Sequence, residues 1–183
     1  MRVVQPVLRF KSLLGLKSIG IEYGTGNTDS MGGEADVIHL LKSKPSASTK
    51  FRYLVISENY HDLVSKDVDL VGITAIDEQF YEMLKRSSSK KLGIEITVSW
   101  LRKTNGHKLA KNIALIKSIH NFTQKYGNQL VLTSGASSIF EMVSGRCFDA
   151  LLELCDIKPE TYWNSLNNWL EHKIDMRCYI CDT

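Results

Sequence analysis

Short apolar runs alternate with helical patterns along most of this 183-residue chain. Six runs predict β-strands at residues 17–23, 35–41, 51–57, 68–74, 92–98 and 129–133, and a seventh strand is predicted at 2–4. The runs are short and almost continuously apolar, as strands buried on both faces are. Because such strands are covered by helices on both faces, the alternation predicts an α/β fold with a mainly parallel sheet.

Four amphipathic patterns predict the helices. They cover residues 77–85, 108–126, 148–155 and a last helix that starts at 159. Asp77 is placed to cap the first helix, and Gly127 suits the position just after the second. Pro159 suits the first turn of the last helix, where its missing N–H costs nothing. Strands and helices together therefore account for most of the chain.

The strand number and the chain length together indicate a barrel. About seven candidate strands with no division into two halves favour a barrel over a doubly wound sheet. A full barrel of eight strands and eight helices takes about 250 residues, or ~200 at the low end. We therefore predict a distorted, shortened TIM-like barrel that forms one domain over 1–183, with a flexible tail at about 175–183. Glycine- and serine-rich stretches at 24–33 and 42–50 are predicted loops.

Composition sets limits on the class of protein. The chain is 43% hydrophobic and 23% charged, as a globular domain with a full core is. No apolar run approaches the roughly 18 residues of a membrane span, and the N-terminus lacks a signal-peptide pattern. We expect a cytoplasmic protein without a membrane partner. A net charge of +3 is compatible with an acidic partner but does not demonstrate one.

Familiar catalytic motifs do not occur in the sequence. The five histidines follow no metal-binding spacing, and the C-x-x-C of Cys178 and Cys181 has no second pair. Two thiols on a tail, redox chemistry and shared metal binding all remain open for that pair. No G-x-S-x-G nucleophile motif is present. The sequence therefore predicts no metal site and no catalytic nucleophile on this chain.

Two strands share the pattern Gly-Ile-Glu, which ends at Glu22 and at Glu95. Alternation along a strand turns each carboxylate away from the neighbouring isoleucines. Paired in a barrel mouth they would act as acid and base, in a free-standing barrel phosphoesterase or hydrolase. Alternatively, each is held by a cation or a backbone donor, because an unpaired buried charge is costly. Either way, we expect the two glutamates on neighbouring or near-neighbouring strands.

The strand at 129–133 leads into a turn of small residues, Ser134-Gly135-Ala136. Backbone N–H groups in such a turn can approach a ligand or another backbone closely. A helix that begins at once after the turn would add the positive end of its dipole.

Basic residues flank the predicted strand at 92–98. Lys90 and Lys91 precede it, whereas Arg102, Lys103, Lys108 and Lys111 follow it. A strand of about seven residues spans ~23 Å, so the two groups are expected at opposite ends of the barrel. The group that follows the strand would share the carboxyl-terminal face with the 134–136 turn. A phosphate-binding surface and a solvated face are both compatible with it.

The order of three motifs resembles the archaeal ribonuclease P protein component 3 family, which is related to a protein subunit of eukaryotic ribonuclease P. The motifs are Asp-Val-Asp-Leu-Val-Gly-Ile at 67–73, Leu-Gly-Ile-Glu-Ile at 92–96 and Thr-Ser-Gly-Ala at 133–136. The likeness spans residues 15–172. Where the family shows an Arg-x-Pro element, this chain has no proline and carries Arg146 later.

The resemblance implies a distorted TIM-like barrel that is related to phosphoesterase barrels but lacks their metal ligands. The family's holoenzyme removes the 5′ leader of precursor tRNA, and its catalyst is the RNA with bound Mg²⁺. It implies that the isolated chain has no activity and no cofactor, and that it pairs with a small ferredoxin-like subunit. The expected RNA-contacting residues are Arg102, Lys103, Lys108, Lys111, Ser134, Gly135 and Arg146.

Overall fold

Six parallel strands form one sheet in the order of the chain. The structure is a computed structural model, and it describes residues 4–23, 37–45, 51–62, 67–73 and 77–175. The strands are β1 Ile19–Glu22, β2 Val37–Leu41, β3 Tyr53–Ser57, β4 Leu70–Gly72, β5 Gly93–Thr97 and β6 Gln129–Thr133. Every neighbouring pair is parallel. The sheet curls into a half-barrel with helices, and this confirms the predicted α/β, distorted TIM-like fold.

One described helix precedes the first strand, and the other described helices follow β4, β5 and β6. They are α1 Val4–Leu13, α2 Glu78–Arg86, α3 Val98–Arg102, α4 Gly106–Tyr126, α5 Gly145–Leu154 and α6 Pro159–Asp175. Asp77 caps α2, since its Oδ1 accepts the backbone N–H of Phe80 at 2.8 Å. Gly127 ends α4 with a φ of 70°, a left-handed conformation that glycine adopts without strain. Both local signals were readable in the sequence.

The core lies on both faces of the central strands. In β3, β5 and β6 the first four residues are all buried. The side chains of Ile94 and Leu130 are fully buried, as are those of Ile116 and Ile119 on α4. Burial on both faces is the reason that these strands are almost continuously apolar.

Helix α6 covers the outer edge of β6. The backbone N–H of Leu132 donates to the Tyr162 hydroxyl at 2.8 Å. Gln129 Nε2 donates to the carbonyl of Leu130 at 2.8 Å, and Ser165 Oγ donates to Gln129 Oε1 at 2.7 Å. Side chains therefore pair backbone groups that a further strand would otherwise pair, at an edge that proteins commonly protect. In the described ranges this is where the sheet ends, after six strands rather than seven.

The far end of α6 closes the amino-terminal end of the sheet. A Cβ atom on Gly93 would lie 2.7 Å from the Trp169 ring, so only glycine fits there. Lys173 is buried; its Nζ lies 3.4 Å from Asp69 Oδ1, and Asp69 Oδ2 accepts the N–H of Val55 at 2.9 Å. A buried ion pair with its own hydrogen bonds thus joins the last helix to the middle of the sheet.

The amino-terminal end of the chain forms a helix where a strand was predicted. The strand predicted at 2–4 is wrong at Val4, where α1 begins; residues 2 and 3 lie outside the described residues. Two adjacent valines favour a strand locally, but the chain continues with helix-compatible spacing through Leu13. The predicted tail lies, from residue 176 onward, outside the described residues, as does the predicted loop at 24–33.

Candidate functional site

The carboxyl ends of the strands meet at one rim of the half-barrel, because the strands are parallel. Barrels of this class carry their functional groups at this rim. Glu22 ends β1, Ser57 ends β3 and Thr133 ends β6, while Glu95 is the central residue of β5 and its carboxylate contacts Thr133. These four residues mark the rim of the half-barrel.

Glu95 is the buried carboxyl group of the rim, with only 9% of the residue exposed. Thr133 Oγ1 donates a hydrogen bond to Glu95 Oε1 at 2.7 Å. Burial raises the pKa of Glu95, and the charges of Glu22 and Glu58 raise it further, although the Thr133 hydrogen bond opposes this. A buried carboxyl group with a raised pKa is one mark of a candidate functional site. The hydrogen-bond donor to Glu95 is the hydroxyl of Thr133, rather than the cation or backbone donor that the sequence suggested.

Lys42 joins the other two carboxylates of the rim. Its Nζ lies 3.6 Å from Glu22 Oε1 and 3.6 Å from Glu58 Oε1. The three side chains line a shallow depression together with Ser57 and Asp62. Because the three charged side chains are about half exposed or more, these ion pairs contribute little to stability. Glu22 therefore has the cationic partner that the sequence offered as one of its two interpretations.

Glu22 and Glu95 do not lie on neighbouring strands. β2, β3 and β4 separate β1 from β5 in the sheet, so the predicted proximity of their strands is wrong. A repeated tripeptide fixes which way a side chain points but carries no information on strand order. The charge of Glu22 nevertheless contributes to the raised pKa of Glu95. Within the described ranges, no cluster of three His, Cys, Asp or Glu side chains is arranged to hold a metal ion.

The turn at 134–136 packs tightly against the start of α3. Ser99 N–H donates to the carbonyl of Ser134 at 3.1 Å. Gly135 has a φ of 58°, and a Cβ atom there would lie 2.4 Å from Ser99 Oγ and 2.7 Å from Thr97 Cβ. Glycine at 135 is therefore required for close packing of the turn against the side chains of Thr97 and Ser99.

The helix expected immediately after this turn is absent. A short 3₁₀ helix at Ile139–Glu141 follows, and α5 begins only at Gly145. Glu141 Oε2 accepts the N–H of Ser137 at 2.7 Å and thereby closes a local turn instead of a helix. No α-helix N-terminus directly follows the turn, so the helix predicted to begin there, and its dipole end, are wrong.

The basic residues predicted to bind RNA are all exposed. Arg102 lies at the end of α3, and its Nη1 donates to the carbonyl of Glu141 at 3.3 Å. Lys103 follows Arg102, Lys108 and Lys111 lie in the first turns of α4, and Arg146 lies in the first turn of α5. The structure thus brings Arg102 onto the Ile139–Glu141 turn.

Lys90 and Lys91 lie at the other end of β5, as the strand length predicted. They precede Gly93, whereas α3 follows Thr97. Their carbonyls accept hydrogen bonds from Lys173 Nζ and Trp169 Nε1.

Sequence reasoning missed two charged residues of the rim, Lys42 and Glu58. Each directly follows a predicted strand, at 35–41 and 51–57 respectively. In a parallel sheet, the residue after a strand lies at the carboxyl-terminal rim. That positional signal was available and would have identified both.

The fold is similar to one that is known from ribonuclease P. The match is to a chain of the cryo-EM structure of archaeal Ribonuclease P with mature tRNA, with a TM-score of 0.65. It covers 95% of this chain and 88% of that chain at 14% sequence identity. Neither a family model nor a curated protein matches the sequence. At this identity the likeness is one of fold.

Membrane insertion has no candidate among the described helices. None of them is both long enough and apolar enough to cross a bilayer.

Proposed function

We propose that this chain is a protein subunit of ribonuclease P, the enzyme that removes the 5′ leader from precursor tRNA. One observation carries the proposal: the fold matches, over almost its whole length, a chain of an archaeal ribonuclease P structure that contains tRNA. The order of the motifs at 67–73, 92–96 and 133–136 supports it independently. A fold alone does not assign a function, so the proposal needs both.

In this role the chain is a non-catalytic part of an endoribonuclease. The ribonuclease P RNA performs the cleavage with bound Mg²⁺, and the protein needs no cofactor of its own. Its partners are that RNA, a small ferredoxin-like subunit and, through the holoenzyme, precursor tRNA in the cytoplasm. The engagement of Glu95 by Thr133 and of Glu22 by Lys42 supports a structural role for the rim carboxylates.

The proposed RNA-contacting face lies around α3 and the start of α4. Between Glu95 and Glu141 the chain contains no aspartate or glutamate, yet it carries several lysines and an arginine. Such a one-signed segment favours phosphate contact. The residues assigned to this face are Arg102, Lys103, Lys108, Lys111, Ser134, Gly135 and Arg146.

Reconstitution tests the proposal. Ribonuclease P RNA and the other protein subunits are assembled with and without this chain, and cleavage of labelled precursor tRNA is followed. We expect the chain to raise 5′-leader removal by the assembly, and we expect no cleavage by the chain alone in Mg²⁺. If the cleavage rate and the Mg²⁺ requirement of the assembly are the same with and without the chain, the proposal is contradicted.

A free-standing hydrolase is the second candidate, because Glu95 is buried at the rim with a raised pKa. Cleavage of RNA or of a phosphodiester by the isolated chain, abolished by Glu95→Gln, would favour it. The same substitution should leave the activity of a reconstituted ribonuclease P unchanged, provided that the variant folds.

A further inference from the structure

Phe140 carries an exposed aromatic ring. It is 86% exposed, whereas every other phenylalanine, tyrosine and tryptophan in the described ranges is buried or half-buried. A single exposed aliphatic side chain needs no explanation. A phenylalanine that leaves its whole ring in water has no polar atom to justify the position, so its surroundings are informative.

The turn that carries Phe140 is held in place on several sides. Glu141 N–H donates to the Ser138 carbonyl at 3.1 Å, and Arg102 Nη1 donates to the Glu141 carbonyl from α3. Ser137 N–H is bonded to Glu141 Oε2, and α1 packs against the turn. The exposed ring therefore lies on a turn that is already held by hydrogen bonds. Binding of a ligand to the ring would cost little conformational entropy of the turn.

Positive charges predominate around this turn. Two segments without any aspartate or glutamate, residues 1–21 and 96–140, meet here through α1 and α3. The exposed cations of the helices that surround the turn are Arg9, Arg102, Lys103 and Arg146. Glu141 is the acidic residue of the turn, and its carboxylate already accepts the Ser137 N–H. An aromatic ring among cations suits a ligand that has both flat apolar faces and negative charges.

We propose that Phe140 is a stacking platform for an unpaired base of single-stranded RNA, with the surrounding cations bound to the adjacent phosphates. Unpaired bases stack on exposed aromatic side chains, whereas bases inside a duplex are already stacked and out of reach. A protein partner would favour a surround with few charges, whereas several exposed cations lie around this turn. The inference rests on the proposed function only for the source of the RNA.

The direct test measures affinity by fluorescence anisotropy. The probes are a labelled oligouridylate of about 12 nucleotides and an RNA duplex of the same length. Phe140→Ala should weaken single-strand binding between about 5-fold and about 150-fold, the range for one stacked base, and should leave duplex binding within about twofold. Phe140→Tyr should restore single-strand binding. Leu154→Ala, which removes another exposed apolar side chain, is the matched control.

Two further measurements separate stacking from charge. Phe140→Ala should leave the salt dependence of binding unchanged, whereas Lys103→Gln should lower its slope by about 0.7. A 2-aminopurine in the oligonucleotide should be quenched on binding to the wild type, and less on binding to Phe140→Ala. Single-strand affinity within about twofold of wild type for Phe140→Ala, or equal quenching by both proteins, overturns the proposal.

The outcomes also separate this inference from the proposed function. In one outcome, single-strand binding depends on Phe140 but the chain does not affect ribonuclease P reconstitution. This outcome supports the stacking platform and contradicts the role in the holoenzyme. Full reconstitution together with Phe140-independent RNA binding removes the platform alone. If Phe140→Ala abolishes only the association with another protein subunit, the surface docks protein and the proposal is wrong.

Discussion

Glu95 shows how one residue makes the stability of this protein depend on pH. Its pKa in the folded state lies above its ordinary value of 4.5, mainly because of burial. The folded state therefore holds the proton more tightly than the unfolded state does, and stability falls as pH rises from 4.5 through the folded pKa. Glu95→Gln removes this loss but keeps the side-chain size.

We expect the free energy of unfolding of Glu95→Gln, relative to wild type, to increase as pH rises and to level off above the folded pKa. Urea titrations at several pH values measure it. Glu153→Gln, at an exposed position on α5, is the control for the exchange of a carboxylate for an amide. A constant offset between Glu95→Gln and wild type over the whole range would show that desolvation does not govern this carboxyl group.

The orientation of Glu95 could be predicted from its sequence, but its partner could not. Alternation along the strand turns it away from Ile94 and Ile96, as observed. Thr133 is 38 residues away, and only the pairing of β5 with β6 brings the two together. The exposure of Phe140 has the same character, because neither residue type nor local pattern reveals it.

At the scale of the elements, removal of a single oxygen atom tests the contact of α6 with the edge of β6. Tyr162→Phe removes the oxygen that accepts the Leu132 N–H and leaves a buried donor without its partner. An unpaired buried group costs about 1–3 kcal/mol, so the free energy of unfolding should fall by about that amount.

Denaturant unfolding measures this loss, and amide hydrogen exchange at Leu132 locates it. Tyr126→Phe, on the half-buried end of α4, is the matched control and should change stability by less than about 0.5 kcal/mol. An unchanged exchange rate at Leu132 in Tyr162→Phe would mean that the helix does not pair the edge.

The sequence predicted an element well wherever the determinant was local. The strand at 129–133 coincides with β6, and the Asp77 cap and the Gly127 end are as predicted. α1 and α3 were missed because one begins in a β-type dipeptide and the other is only five residues long. Edge covering by α6 depends on contacts across 30 residues or more, for which the chain offers no local pattern.

At the scale of the whole molecule, the two basic groups at opposite ends of β5 predict unequal effects on RNA binding. Neutralising Arg102, Lys103, Lys108 and Lys111 to glutamine should weaken binding and flatten its salt dependence. Each lost phosphate contact removes about 0.7 to 0.9 units of slope. Neutralising Lys90 and Lys91 should change both much less, because they lie at the opposite end of the sheet.

Affinity for ribonuclease P RNA over a series of salt concentrations measures both variants. The double variant, in which Lys90 and Lys91 are neutralised, serves as the control for a general loss of positive charge. A slope that falls in the double variant and not in the quadruple variant would place the RNA at the amino-terminal end of the strands. It would also remove Phe140 from the contact surface.

The strictly sequential order of the strands has a consequence for synthesis on the ribosome. Each strand pairs with the one made just before it, so the sheet grows in the direction in which the chain emerges. A nascent chain that has emerged through β6 possesses every described strand, yet it lacks the helix that supplies Tyr162, Trp169 and Lys173. Its sheet edge and Asp69 are then without those partners. A nascent chain is therefore exposed to aggregation in the interval between emergence of β6 and emergence of α6.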